Sequence, residues 1–416
     1  MAQLQWLAPE SLESGAQAAV DLFKERYGYE PVGVWSAPGR VNLIGEHTDY
    51  NGGMCLPIAL PHRAFVAVAP REDRLMHFTD RFVPEGFVEV DLDKMGPRGT
   101  EGELTDWTAY LAGVAWAMEQ VGIGPISGFD LALFSCVPRG GGLSSSAALE
   151  CATAVALDEI FNLGLAGTVE NPNDEGRARL VEVCRAAENQ IAGAPTGGLD
   201  QSASLRCAEG AALELDCRDN STALVPFELE KAGLALLVID TRAPHSLNDG
   251  QYKARRDACE AAAEVLGVNQ LVDVDFHELD DALEKLSDPV QVQRVRHVVT
   301  EIERTHEAIA ALRSGPLEGE VLDHIAYLFD ASHDSLRDDY EVTCPELDLA
   351  VNVARREGSH GARMTGGGFG GSAIALVDKE RVEEVAEAIA QAYQEAGFNE
   401  PAFLRALPSA PAGRVK

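Results

Sequence analysis

The segment Pro138-Arg-Gly-Gly-Gly-Leu-Ser-Ser-Ser-Ala-Ala-Leu-Glu150 constrains the fold more than any other stretch of the chain. A β-rich run at 129–134 precedes it, and a stretch rich in Ala, Leu and Glu, 143–161, follows and reads as a helix. A strand, a glycine turn and a helix in that order put the turn's backbone N–H groups at a helix N-terminus. There, with the helix dipole, they form a nest for an anion. Ser144, Ser145 and Ser146 can add hydroxyls for phosphate or for Mg²⁺. The terminal Gly-Lys-Ser/Thr of a Walker A loop is missing. A Ser-capped helix behind a glycine turn would account for these residues equally well if they stood alone.

They do not stand alone. Ala37-Pro-Gly-Arg-Val-Asn-Leu-Ile-Gly-Glu-His-Thr-Asp-Tyr-Asn-Gly-Gly53 gathers Arg40, Glu46, His47 and Asp49 among glycines that permit tight turns. Carboxylates beside a His suit a metal, yet the same mix of acceptors and donors suits the several hydroxyls of a sugar. A plain metal site is disfavoured because no second His or Cys cluster stands at ligand spacing. Arg363-Met-Thr-Gly-Gly-Gly-Phe-Gly-Gly-Ser372 is a further glycine run, between a predicted helix at 345–356 and a predicted strand at 372–377. Glu188 and Asp200 flank Ala194-Pro-Thr-Gly-Gly-Leu-Asp-Gln201, where an acid on a turn can be aimed into a cleft or satisfied by its own backbone.

Charge excludes several function classes. Lys plus Arg number 34 against 67 Asp plus Glu, a net of −33. Nothing supplies the broad basic face that nucleic acid requires, and an anionic membrane would repel the chain. No apolar run approaches the roughly 18 residues that span a bilayer. No basic residue precedes Lys24, so a signal-peptide n-region is lacking, and a cytoplasmic protein is expected. The eight cysteines form no CxxC pair and read as reduced thiols, with a Cys207–Cys217 disulfide as the alternative.

A length of 416 residues implies two or three domains. Leu12, Ala16, Ala19, Val20 and Phe23 recur at helical spacing, with Gly28 as the stop. Further helices are expected at 177–191, 251–266, 289–313, 319–338 and 381–396, and strands at 32–35, 65–68 and 234–239. The chain is therefore α+β with a boundary near 215–230, and the tail, 408–416, is expected to be loosely ordered.

Taken in order, the four stretches resemble the galactokinases of the GHMP kinase family. Residues 39–50 look like the galactokinase signature, 138–148 like the GHMP phosphate-binding motif, 197–201 like the family's Gly-x-x-Asp-Gln turn, and 363–372 like its third motif. The resemblance implies a two-lobed architecture: residues 1–220 as a lobe like domain 2 of ribosomal protein S5, and 221–416 as a ferredoxin-like lobe. It implies that Glu46, His47, Thr48, Asp49 and Tyr252 bind the sugar. Gly140, Gly141, Gly142, Leu143, Ser144, Ser145 and Ser146 would cradle ATP, with Trp107 near the base. Ser146 and Glu188 would hold Mg²⁺, Asp200 would act as base, and Arg40 would stabilise the transferring phosphoryl group. Gly366, Gly367 and Gly368 would shape the cleft. The implied reaction converts α-D-galactose and ATP to galactose 1-phosphate and ADP, with no nucleic acid, membrane or obligate protein partner.

The departures are small. Leu199 replaces the family's commoner Met before the Asp, and Arg139 adds a positive charge to the phosphate loop. Three alternatives remain open: a kinase of N-acetylgalactosamine, a galactose and ATP sensor without catalysis, and an Asp200 that orients the hydroxyl without removing its proton.

Overall fold

The computed structural model describes residues 4–194, 196–244 and 249–416. A six-stranded sheet runs in the order Gly413–Arg414, Gly33–Asn42, Pro57–Pro70, Phe129–Ser135, Leu75–Asp80, Val88–Asp91. Its central strands are buried along nearly their whole length, because helices cover the sheet. Helices Thr108–Gln120 and Ser145–Ile160 join that core, while Leu12–Tyr27 closes a smaller apolar cluster around Phe23 and Phe65. Ser11 caps the last helix through Ser14 N–H, and Gly28 ends it in the left-handed conformation, as its sequence predicts.

A five-stranded sheet forms from Gln5–Trp6, Ala402–Ala406, Leu234–Asp240, Ser372–Asp378 and Gly361–Thr365. The helices Asp249–Leu266, Pro289–Ser314, Pro345–Arg356 and Val382–Ala396 contribute to the second core. A three-stranded sheet pairs Met54–Cys55, from between two strands of the six-stranded sheet, with Ala211–Asp216 and Ser221–Pro226. The chain ends cross over: Gln5–Trp6 pairs in the five-stranded sheet and Gly413–Arg414 in the six-stranded one.

That crossing corrects one expectation. The tail is docked. Ala412 is fully buried, and the buried Arg63 guanidinium donates to the carbonyls of Ala410 and Pro411, both at 2.8 Å. An Arg in the middle of a buried strand needs acceptors, and the tail carbonyls are those acceptors. Burial still lowers the Arg63 pKa to about 10. The helix expected at 177–191 begins at Asp174 and, from Ala187 to Ala192, widens into a π turn. Such a turn rotates side chains off the α-helical register, and here it carries Glu188 inward. The eight cysteines are free thiols; Cys217 lies 3.9 Å from Cys55, sulfur to sulfur, and forms no disulfide with Cys207.

Candidate functional site

The phosphate-type loop is held by its carbonyls. Ser372 Oγ donates to Gly141 O (2.6 Å), an Arg40 guanidinium N–H to Gly142 O (2.7 Å), and the Arg40 backbone N–H to Leu143 O (3.1 Å). Because trans peptide planes are rigid, carbonyls turned into the protein aim the N–H groups of Gly142, Leu143 and Ser144 the opposite way. The turn requires left-handed backbone at Gly140, Gly142 and Ser144, and helix Ser145–Ile160 starts immediately after it. Ser144 does not cap that helix. Its hydroxyl donates instead to Asp200 Oδ2 at 2.6 Å.

Asp200 stands in the first turn of helix Leu199–Arg206, behind Gly198 at φ 96°. Its other oxygen accepts from Arg40 at 2.8 Å. One Arg thus touches both the loop and the acid. Arg40 projects from strand Gly33–Asn42, where the pairing register slips between Pro38 and Arg40, and Gly39 between them packs so close to Leu143 O that a Cβ would fall 2.6 Å from it.

In front of Asp200 lies a cavity of about 260 Å³ whose wall includes Arg40, Glu46, His47, Asp49, Tyr252 and Gly367. A cavity of that size suits a monosaccharide better than a macromolecule. The Asp49 carboxylate is packed against Gly197; burial first, then the charge of Asp200, raises its pKa to about 6. Tyr252 closes one side, its ring centroid 5.5 Å from those of both His47 and Tyr50.

Glu46 and His47 reach the wall with their polar atoms already engaged, which refines their expected role as holders of hydroxyls. Glu46 accepts from Arg363 (2.6 Å), Asn42 (2.9 Å), the Gly366 N–H (2.9 Å) and Thr365 (3.3 Å). It is a buried clamp between the first and third motifs. Burial pushes its carboxyl up, with Arg363 opposing. Glu301, from helix Pro289–Ser314, completes the cluster: burial raises its pKa, but Arg304 and Arg363 outweigh that and hold it at about 2. His47 sits at φ 64° with Nε2 against Gly367 O (3.2 Å) and Nδ1 against Tyr50 Oη (2.9 Å). A carbonyl can only accept, so Nε2 carries the proton and Nδ1 accepts from Tyr50. Burial and then His297 lower the His47 pKa to about 3, so the ring is neutral.

Two residues stand apart from the cavity wall. Thr48 is fully buried and donates to Gly45 O or Met54 O, both 2.8 Å away, so it shapes the signature loop and does not reach the sugar-sized cavity. This corrects its expected place among the substrate contacts, and the cause is local: in a tight turn the hydroxyl finds backbone carbonyls first. Trp107 precedes helix Thr108–Gln120 and packs edge-on to Phe78, centroids 6.5 Å apart. Arg139 is paired with Asp80 at 3.0 Å and lies over Phe82, so its charge is partly spent before any phosphate arrives.

Behind the loop, Glu188 accepts from Gln201 (2.6 Å) and Thr196 (3.0 Å) and is hydrogen-bonded to Ser146. Burial and then Asp200 raise its pKa to about 7, a penalty that a bound cation would relieve. No group of three or more His, Cys, Asp or Glu side chains among the described residues could hold a metal alone. The Glu188 carboxylate and the Ser146 hydroxyl bonded to it are a donor set of the kind Mg²⁺ takes, one or two carboxylates with the shell completed by substrate phosphates and water. Glu301 and Tyr340, outside every motif, also build the site, and so do Asn42 and Gln201, which lie within motifs that assigned them no role.

The nested loop, the acid–arginine pair and the two covered sheets define a GHMP kinase. Family models agree: the GHMP kinase N-terminal domain matches residues 109–207, the C-terminal domain 320–395, and the galactokinase galactose-binding signature 21–70. The chain is 46% identical to a galactokinase of Streptomyces coelicolor over 97% of its own length and 99% of that protein's. It is 41% identical to a human galactokinase over 86% of each chain. A solved structure of Lactococcus lactis galactokinase complexed with galactose superposes with a TM-score of 0.86 at 33% identity, covering 95% of this chain and 98% of that one. A mevalonate kinase at 15% identity and TM-score 0.59 shares the fold. Within the GHMP kinases, the chain belongs to the galactokinase family.

Proposed function

We propose that the protein transfers the γ-phosphoryl group of ATP to the anomeric hydroxyl of α-D-galactose, giving galactose 1-phosphate and ADP. The observation that carries this reading is the placement of Asp200. It faces the monosaccharide-sized cavity while paired with Arg40 and bonded to Ser144 of the phosphate-type loop.

Asp49 accepts sugar hydroxyls, and Tyr252 packs on the ring. Glu46 and His47 act mainly by holding the wall in shape. The N–H groups of the 140–146 loop take the phosphates. Ser146 and Glu188 hold Mg²⁺, which neutralises phosphate charge when bound. Trp107 borders the adenine. Asp200 accepts the hydroxyl proton as the oxygen attacks, and Arg40 sits where charge builds on the transferring group. In a loose transition state such positioning and electrostatics supply most of the acceleration. The lobes are taken as 1–220 and 221–416, with the terminal strands exchanged and Ser221–Pro226 pairing back onto Ala211–Asp216. The free thiols support a cytoplasmic setting.

Asp200→Asn tests the assignment. It should retain the fold and the galactose affinity and lose about 10²–10⁴ in kcat. Turnover near that of the unsubstituted protein would remove Asp200 from the chemistry. Galactose-independent ADP release at full rate would overturn the substrate.

A further inference from the structure

Glu150 lies in helix Ser145–Ile160, about one turn beyond Ser146, and is fully buried. Gln201, the neighbour of Asp200, is equally buried. Gln201 Nε2 is 2.9 Å from Glu150 Oε2 and 2.6 Å from Glu188 Oε2. Two carboxylate oxygens around one amide atom identify that atom as the NH₂ group and put both its protons to use. Two oxygens of the cluster are then left without a partner, Glu150 Oε1 and Gln201 Oε1.

Both orphans are acceptors, and one proton between them would satisfy both. A hydrogen on Glu150 Oε1 would let that O–H donate to Gln201 Oε1 while Gln201 Nε2 donates back to Glu150 Oε2 at 2.9 Å. The acid and the amide would then close a ring of two hydrogen bonds. The alternative, two carboxylate anions sharing one NH₂ group in a dry interior, carries a heavy desolvation cost. The charged groups facing Glu150 are Glu188 and Asp200, both acids, with the Cys151 thiol beside them. Burial and then Glu188 push its carboxyl well above the usual carboxylate range.

We propose that Glu150 is a positioning residue for phosphoryl transfer, a neutral carboxylic acid in a cyclic pair with Gln201 that aims the amide's second N–H at Glu188. The pair fixes the rotamer of Gln201 and keeps the cluster's negative charge on Glu188, where a metal can use it. This rests on the reading of Glu188 as a Mg²⁺ ligand. Groups that orient a ligand in this way typically affect metal affinity by about 10–100-fold.

Two measurements test it. The infrared difference spectrum between the unsubstituted protein and Glu150→Gln, without nucleotide or metal at neutral pH, should contain the carbonyl stretch of a protonated carboxylic acid. Paired carboxylate bands in its place overturn the acid–amide pair. Mn²⁺ binding in the presence of a non-hydrolysable ATP analogue, followed by electron paramagnetic resonance, tests the positioning. Glu150→Gln offers Gln201 the same donor and acceptor and should bind within about twofold of the unsubstituted protein. Glu150→Ala should bind at least about tenfold more weakly, with galactose affinity unchanged. Equal weakening in both variants, or none in Glu150→Ala, overturns the positioning role. Unweakened Mn²⁺ binding in Glu188→Gln overturns the metal reading of Glu188, and the positioning role with it, whether or not the acid band is present.

Discussion

Gly197→Ala isolates the sugar half of the site. An ideal Cβ at Gly197 would stand 2.2 Å from Asp49 Oδ2, 2.8 Å from its Cγ and 3.2 Å from its Cβ. The Gly197 backbone is not in the left-handed region, so Ala can adopt it without strain. The clash is therefore steric and falls on one carboxylate. That carboxylate must retreat by roughly 1 Å to regain van der Waals contact. A hydrogen bond to a charged acceptor is worth about 1.5–3 kcal/mol and does not survive such a displacement. Galactose affinity should fall roughly 10- to 150-fold.

Calorimetry of galactose binding without nucleotide reads the effect directly, with ATP-analogue affinity as the control. The analogue should bind nearly as before, because the loop carbonyls are held by Ser372 and Arg40 and not by the Gly197 turn. In an Asp49→Asn background the substitution should cost less, since the two changes act on the same group. Unchanged galactose affinity, or nucleotide affinity reduced as much as sugar affinity, would refute the assignment of Asp49 as a hydroxyl acceptor.

The raised pKa of Asp49, about 6 against an ordinary 3.8, has a sign. The native state binds the extra proton, so this group's contribution to stability is full below 3.8 and is lost as pH rises through 6. Asp49→Asn should therefore raise Tm more at pH 8 than at pH 4.5; equal shifts at the two pH values would refute the perturbed carboxyl. Deleting residues 410–416 removes two carbonyl acceptors from the buried Arg63 guanidinium. The loss should be about 3 kcal/mol or more, read as a lower urea midpoint, and an unchanged midpoint would show the tail to be dispensable.

The parts of the fold that read well from sequence share one property: a short-range signal decides them. Helix 319–338 begins and ends where its pattern does, and so does Pro345–Arg356, opened by a proline. The strands show in the sequence only as fragments. Gly33–Asn42 extends past the apolar run 32–35 into Pro38, Gly39 and Arg40, residues with poor strand propensity. Tertiary contacts hold them, the Arg40 N–H on Leu143 O among them. Helix Thr108–Gln120 is buried on almost every side, so it shows little amphipathic period to read. The site divides in the same way. Glycine turns and acids announce themselves by composition. The partners of those acids do not, because Arg363 and Glu301 come from elements far along the chain from Glu46, and only the packed chain shows that Glu46 is a clamp and that Gln201 bonds Glu188.

The net charge of −33 poses the question of how such a protein captures ATP. Long-range steering of an anion by the whole field would be repulsive. The geometry answers locally. The N–H groups of Gly142, Leu143 and Ser144 are turned away from the protein because their carbonyls are held inside it, and backbone dipoles attract a phosphate at contact whatever the surface carries. At physiological salt, distant carboxylates are screened within about 8 Å, which is less than the span of either lobe. The acid at the site is itself compensated: Asp200 is paired with Arg40, Glu46 with Arg363, and Asp80 with Arg139. Burial raises the carboxyls of Glu46 and Glu150 as well, and among the raised carboxyls Asp49 and Glu188, at about 6 and about 7, are the two proposed to meet ligands. They are the groups to which a sugar hydroxyl and a divalent cation would bring relief. Ligands bound at Asp49 and Glu188 would release that share of the protein's electrostatic strain.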